Sequence, residues 1–268
     1  MFSHFTLGSN DLRRAEVFYA ALGPVLGLPL LGVDHEEGDL RIGRYDGARP
    51  PLIVCRPFDE RPATPGNGFH IAFMASCKEA VDSFHKTALA HGGLDAGAPG
   101  LRSIYAPDYY AAYIRDPDGH KLQAVWYRDG RKTGATGDII SHITIGHADF
   151  ERERAFYKAV LGALDMVELP DEAHDELAGF GHQGLRTPIV YVQRPFDQKP
   201  ASFGNGVHVA FRADEREIVD RFHEAALKNG GTSAGAPGPR PDYSPDYYGA
   251  YVRDPVGNKL QAVCRKPA

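Results

Sequence analysis

The segment GAPGLRSIYAPDYYAAYIRDPDGHKLQAV occupies residues 97–125 and recurs as GAPGPRPDYSPDYYGAYVRDPVGNKLQAV at 235–263. The two segments are identical at 21 of 29 positions, with no insertion in either. The same offset of 138 residues aligns SHFTLG (3–8) with SHITIG (141–146), and GNGFHIAF (66–73) with GNGVHVAF (204–211). Solenoid repeats have periods of roughly 20–50 residues, so this longer period predicts two copies of one domain.

The boundary between the copies is predicted in the polar, Gly-rich stretch RDGRKTGATGD, which shows no apolar periodicity. This places the first domain at 1–128, a linker at 129–138 and the second domain at 139–268. Each copy also contains a smaller pattern twice, in the order strand, helix, three strands. The sequence therefore predicts an α+β fold of tandem duplicated domains, in which each domain has two βαβββ units that form a curved mixed sheet around a cleft.

Composition excludes several classes of function. The chain has 268 residues, 30 Lys and Arg against 35 Asp and Glu, and a formal net charge of −5. This balance gives no electrostatic footprint for nucleic acid and does not point to a membrane surface. We expect a cytoplasmic protein, because polar residues occur too early in the N-terminal sequence for a signal peptide and no apolar run is long enough to span a bilayer. The expected partner is a small molecule, and a homodimer is the candidate assembly.

Strand alternation predicts that polar side chains share the face opposite the helices. In the first strand of each copy, His4 and His142 point away from the apolar neighbours that should cover the helix. The same pattern places His70 and His208 on the corresponding face at the start of the second unit. It places two carboxamides there as well, Gln123 and Gln261. A histidine on such a strand is either a hydrogen-bonded core residue or a ligand, and its duplicated position favours the ligand interpretation.

The repeated PDYY motif supplies the candidate catalytic residues. Alternation allows one tyrosine of each adjacent pair to face the site, and we choose Tyr109 and Tyr247. The alternative is a packed tyrosine whose hydroxyl is capped by the backbone.

Taken together, these motifs resemble the vicinal oxygen chelate superfamily, which includes glyoxalase I, bleomycin resistance proteins and extradiol dioxygenases. The resemblance rests on the histidine of the first strand, the following Phe-Tyr helix, the histidine that opens the second unit, and the closing DPDGHKLQAV or DPVGNKLQAV. It implies a divalent metal such as Fe, Mn, Zn or Ni held in a cleft. Carried over position by position, the implied metal ligands are His4, His70, Gln123, His142, His208 and Gln261.

The chain departs from the family pattern at two positions. Gln123 and Gln261 stand where metal-dependent members usually have glutamate, which makes the site more positive and should weaken metal binding or abolish it. A further acidic ligand of glyoxalase-type members aligns with Val54 and Val192. Neither valine nor glutamine can act as a general acid or base. We therefore rank a dioxygenase-like arrangement above glyoxalase I activity.

The sequence supports two candidate functions. The first is a divalent-metal-dependent small-molecule enzyme, a dioxygenase or lyase, acting on a substrate with vicinal oxygens. The alternative is a metal-free protein of the bleomycin resistance type that binds an antibiotic or aromatic molecule. Whether each site forms within one domain, or takes His4 from one copy with His208 and Gln261 from the other, is left open.

Overall fold

The computed structural model describes residues 2–36, 38–43, 52–128, 139–170, 175–185 and 187–267. The predicted linker at 129–138 lies outside the described residues, so the domain boundaries stay a prediction. No helix in the described ranges is long and apolar enough to cross a membrane.

Four βαβββ units follow one another along the chain. The first contains β1 (Phe2–Gly8), α1 (Leu12–Leu22), β2 (Leu30–Asp34), β3 (Asp39–Ile42) and β4 (Leu52–Cys55). The second contains β5 (His70–Met74), α2 (Lys78–Ala90), β6 (Leu94–Leu101), β7 (Tyr109–Arg115) and β8 (Lys121–Tyr127). The third contains β9 (Ile140–Gly146), α3 (Phe150–Gly162), β10 (Met166–Leu169), β11 (Leu177–His182) and β12 (Val190–Gln193). The fourth contains β13 (His208–Arg212), α4 (Arg216–Lys228), β14 (Thr232–Pro239), β15 (Tyr248–Arg253) and β16 (Lys259–Cys264).

The units pair by exchange between the two halves of the chain. One eight-stranded mixed sheet has the order β14-β15-β16-β13-β1-β4-β3-β2, and the other has the order β10-β11-β12-β9-β5-β8-β7-β6. Antiparallel pairs β1–β13 and β5–β9 lie at the two centres, with His4 opposite Ala210 and His142 opposite Ala72. The α+β class and the duplication are confirmed, but the two units of one half do not share a sheet. Each sheet is completed within the chain, so neither needs a second copy, and a homodimer stays a prediction.

The apolar sets identified from strand alternation lie in the core. Phe5 and Leu7 of β1 are buried together with Phe18 of α1, on the side away from His4. The first and third helices begin at aspartate N-caps in equivalent positions, Asp11 and Asp149, whose carboxylates accept from backbone N–H groups three residues later. The alternation interpretation is therefore confirmed on the helix side of the sheets.

The GAPG segments are strand rather than turn, contrary to what Gly and Pro suggest in sequence. They lie in the edge strands β6 and β14, whose pairing with the next strand shifts register twice. Gly97 and Gly235 have φ of +149° and +157° at the first shift. Proline is tolerated on an edge strand because its missing N–H is not needed for the ladder.

The repeated GNG loops fasten the two halves together. The Asn67 side chain donates to Asp197 Oδ1 and Pro200 O in the other half. Asn205 repeats this contact with Asp59. Gly68, which follows Asn67, has φ +92°, and an added Cβ would lie 2.5 Å from the Gly146 Cα, so only glycine fits where the two chain segments cross.

Separation of the halves should expose the central edge of both sheets. We expect a fragment of residues 1–128 to form a homodimer, because β1 of one copy can pair with β5 of another in place of the missing β13. Light scattering coupled to size-exclusion chromatography measures the mass. The full chain at the same concentration is the control, and a folded monomeric fragment contradicts the exchanged arrangement.

One buried acid distinguishes the two halves. Glu153 of α3 is 2% exposed, and its Oε2 has no hydrogen-bond partner among the described residues. Its counterpart in α1 is Ala15. Burial raises the pKa of Glu153 to about 8, and the nearby Asp254 adds to the shift.

This raised pKa predicts a pH-dependent cost in stability. Between the ordinary pKa of 4.5 and about 8, the unfolded chain releases a proton that the folded chain keeps, so the free energy of unfolding should fall as pH rises. Glu153→Ala should remove that fall, and its gain over the wild type should be larger at pH 8.5 than at pH 5 in urea denaturation. Glu151→Ala, at an exposed carboxylate of the same helix, is the control. A gain that does not change with pH would show that Glu153 titrates normally.

Candidate functional site

Two polar sites lie on the sheet faces opposite the helices, and each takes residues from both halves. Site 1 is formed by His4 from the first half and by His208, Gln261, Tyr247 and Tyr251 from the second. Site 2 is formed by His142 from the second half and by His70, Gln123, Tyr109 and Tyr113 from the first. All six predicted ligand residues and both predicted tyrosines therefore belong to one or other site.

The two histidines of each site are close enough to share one ligand atom. The ring centroids of His4 and His208 are 5.1 Å apart, and those of His70 and His142 are 5.6 Å apart. Metal–nitrogen bonds of about 2.1 Å can bridge rings at such separations. The geometry of each pair is compatible with a shared metal ion or a shared substrate oxygen.

A serine orients the first-strand histidine in each site. Ser3 Oγ lies 3.0 Å from His4 Nδ1, and Ser141 Oγ lies 3.0 Å from His142 Nδ1. A hydrogen bond to one ring nitrogen fixes the orientation of the imidazole. The sequence carried this signal in the repeated Ser-His dipeptide, which our sequence interpretation did not use.

The tyrosines fix the orientation of the carboxamides. Gln123 Nε2 donates to Tyr109 Oη at 2.5 Å, and Gln261 Nε2 donates to Tyr247 Oη at 2.6 Å. With each amide nitrogen committed to a phenol, Oε1 is the atom left to face the histidines. Adjacent Tyr110 instead lies toward the helix and donates to Asp82, as alternation requires.

The two sites differ in how this Oε1 atom is used. In site 2, Gln123 Oε1 lies 3.0 Å from His70 Nε2, in hydrogen-bonding geometry. In site 1, neither Gln261 Oε1 nor His208 Nε2 has a hydrogen-bond partner among the described residues, although both atoms are buried. The two side chains are nevertheless neighbours, and a weak interaction with the Gln261 amide, outside good hydrogen-bonding geometry, raises the pKa of His208, although burial outweighs it. Site 1 thus presents two buried polar atoms that a ligand could satisfy.

The alignment of a further ligand position with Val54 and Val192 is wrong. Parallel pairing places Val54 beside Leu7, and both valines are fully buried in the core. The site-facing positions on these strands are one residue earlier, at Ile53 and Tyr191, because a shift of one residue reverses the face of a strand. The Tyr191 ring centroid lies 5.2 Å from that of His142. Site 2 therefore gains a phenol where site 1 has an isoleucine.

Three of the site histidines, His70, His142 and His208, are neutral at physiological pH. Burial lowers the pKa of His142 to about 3 and that of His208 to about 3. Burial lowers the pKa of His70 as well, and the positive charge of Lys121 contributes to that shift. Neutral imidazole is the form that binds metal ions. Burial also raises the pKa of Tyr109, so its hydroxyl keeps its proton.

The donor set partly fits a divalent metal. The described residues contain no group of three His, Cys, Asp or Glu side chains that could hold a metal ion. Each site offers two imidazoles and one amide oxygen instead, a neutral set that suits Fe, Zn or Ni less strongly than a set with a carboxylate. Site 1 fits better, because its amide oxygen and one imidazole nitrogen have no hydrogen-bond partner in the described ranges.

Comparison with known proteins agrees with the fold and the duplicated motifs. The model of the Glyoxalase/Bleomycin resistance protein/Dioxygenase superfamily matches residues 1–124 and again 139–262. The chain therefore belongs to this superfamily, which confirms the resemblance to vicinal oxygen chelate proteins.

Solved structures show the same architecture at low sequence identity. Glyoxalase I from Zea mays is 20% identical, with a TM-score of 0.71 over 98% of this chain and 92% of that chain. A putative dioxygenase from Bacillus subtilis is 15% identical, with a TM-score of 0.64 over 100% of this chain and 86% of that chain. A comparison with curated proteins finds no match. At these identities the likeness establishes the fold alone.

Replacement of the site tyrosine should destabilise the protein more than replacement of its neighbour. Tyr109→Phe leaves the buried Gln123 Nε2 without an acceptor and should cost about 1–3 kcal/mol of unfolding free energy. Tyr110→Phe removes an exposed hydrogen bond and should cost less than about 1 kcal/mol. Equilibrium urea denaturation measures both, and Tyr247→Phe with Tyr248→Phe repeats the comparison in site 1. Equal losses within each pair would contradict the proposed role of the tyrosine.

Proposed function

We propose that the protein is a small-molecule enzyme that binds a divalent metal in site 1 and acts on a substrate with vicinal oxygens. The observation that carries this proposal is a pair of buried atoms, His208 Nε2 and Gln261 Oε1, that make no well-formed hydrogen bond within the part of the chain that the structure describes and lie on the same sheet face as His4. Burial of polar atoms without partners costs free energy, and a bound metal would satisfy both. When bound, the metal supplies a Lewis acid that polarises substrate oxygens.

The residues of site 1 would hold this metal as a neutral set. His4 and His208 provide imidazoles, with Ser3 orienting the first. Gln261 provides its amide oxygen, and Tyr247 positions the amide through its hydroxyl. A neutral set leaves the full positive charge of the metal to act on a substrate anion, although it binds the metal more weakly than a carboxylate would.

We favour dioxygenase or lyase chemistry over the isomerisation of glyoxalase I for this site. Proton transfer beside a carbonyl needs a group with a pKa near the working pH. The low pKa of the buried His208 makes it a weak base, and Gln261 does not titrate. Ile53 of β4, which pairs with Thr6 on the same sheet face as His4, supplies no acid or base either.

Site 2 favours the second candidate function, metal-free binding of an aromatic or antibiotic-like molecule. His70 Nε2 and Gln123 Oε1 are bonded to each other, so a metal would have to break that contact. The Tyr113 ring contacts His70 and the Tyr191 ring contacts His142, and such aromatic neighbours suit an aromatic ligand. We propose that the two sites have diverged in this way.

Substitution of the amide tests the metal proposal directly. Gln261→Glu should raise the affinity of site 1 for Fe(II), Mn(II), Zn(II) or Ni(II) at least about tenfold, because it restores a charged oxygen ligand. Isothermal titration of protein stripped of metal measures the affinity, and His208→Ala should abolish binding at that site.

His223→Ala is the matched control, since this histidine lies on α4 and bonds to Ser233 away from both sites. Gln123→Glu reports on site 2 in the same assay. Wild-type protein that binds none of the four metals, together with a Gln261→Glu variant of unchanged affinity, would refute the metal proposal and leave metal-free binding.

A further inference from the structure

Each site has a pair of cations at one end. Arg115 of β7 lies directly opposite Lys121 of β8, and Arg253 of β15 lies directly opposite Lys259 of β16. Residues opposite one another across an antiparallel pair share a face, and Lys121 lies two residues before Gln123 on its strand. In the parallel register Lys121 is also beside His70. The cation pair therefore lies on the same sheet face as the histidines.

These paired cations carry an electrostatic cost, and at Lys121 the repulsion from Arg115 outweighs the attraction of Asp197. Like charges directly opposite on adjacent strands are destabilising. Among the ion pairs of the described residues, none within 4.0 Å includes any of the four side chains. The acid whose charge reaches Lys121 is Asp197, and its Oδ1 accepts from the Asn67 side chain and the Lys199 backbone.

The positions of the four side chains are held by local contacts. Arg115 Nη1 donates to Gly119 O, and Arg253 Nη1 donates to Gly257 O, each at 2.8 Å. Lys121 Nζ lies 4.7 Å from the centre of the Tyr113 ring, and Lys259 Nζ lies 4.8 Å from that of Tyr251. These tyrosine rings in turn contact the histidines His70 and His208. Each lysine is thus kept beside the site rather than directed into solvent.

We propose that each site binds a small molecule whose anionic group, a carboxylate or a phosphate, is held by this cation pair while its other end contacts the histidines. Lys121 with Arg115 serves site 2, and Lys259 with Arg253 serves site 1. The inference names the substrate class of the sites under the proposed function and rests on their being ligand sites, but it does not depend on the metal. In site 2 the exposed ring of Phe196 lies 5.5 Å from Lys121 Nζ, which favours an aromatic body on the anion.

Three simple aromatic probes test the charge preference. Ligand-observed NMR titration of the full-length protein with benzoate, phenyl phosphate and benzyl alcohol gives a Kd for each. We expect at least one anion to bind about tenfold more tightly than the neutral alcohol, as a charge-assisted hydrogen bond allows. Tighter binding of benzoate assigns the group as a carboxylate, and tighter binding of phenyl phosphate assigns a phosphate.

Charge removal supplies the second arm of the test. The double variant Lys121→Gln/Lys259→Gln should bind the preferred anion about tenfold more weakly and bind benzyl alcohol with unchanged affinity. Lys86→Gln/Lys266→Gln removes the same charge from exposed positions and should change neither. Because the first variant relieves like-charge repulsion, its Tm without ligand should equal or exceed that of the wild type. Arg115→Gln/Arg253→Gln repeats the measurement should that variant fail to fold.

Equal Kd values for the anions and benzyl alcohol in the wild type, or equal losses in the site and surface variants, would overturn the inference. The titrations are repeated in EDTA, which separates this outcome from failure of the proposed function. If the anion preference persists in EDTA and the protein binds no metal, the result supports anion binding by the cation pairs and refutes metal binding in site 1. If the protein binds metal but shows no anion preference, the result supports the metal site and refutes anion binding by the cation pairs.

Discussion

The exchange of units between the two halves is the constraint on which the rest of the structure depends. Antiparallel pairing of β1 with β13 and of β5 with β9 joins one four-stranded unit from each half of the chain into each eight-stranded sheet. The histidines lie on these central strands, so their convergence follows directly from the pairing. If β1 and β5 instead lay in one sheet, His4 would meet His70 in place of His208, while the serine and tyrosine contacts, which lie within single units, would stay the same.

Local patterns predicted much of this architecture. Strand alternation correctly separated Phe5 and Leu7 from His4, because the two-residue period of a strand is set by local geometry. The choice of Tyr109 over Tyr110 agrees with the contacts of both hydroxyls. Their roles, and those of the six ligand candidates, stay predictions, since the structure establishes positions and not chemistry.

Other features lay beyond the reach of the sequence. The exchanged pairing depends on contacts distant in sequence. Because the two halves are so similar, the local sequence does not decide whether β1 pairs with β5 or with β13. The ligand position predicted at Val54 is wrong by one residue. In a strand, an error of one residue moves a side chain from the site face to the core face. The GAPG segments show the converse problem, since Gly and Pro predict turns locally but are accommodated in a shifted edge strand. The pairing of Lys121 and Lys259 with arginines could not be predicted either, because a lysine in a strand resembles an ordinary surface residue until its partner on the next strand is known.

The crossing of the GNG loops ties the two sites to each other. Asn67 and Asn205 hold the halves together from opposite sides, and each site takes a histidine from either side of that junction. A molecule seated in one site therefore opposes the same separation of halves that would dismantle the other. Occupancy of either site should raise the free energy required to separate the halves, and a separation that released one ligand would release the other as well.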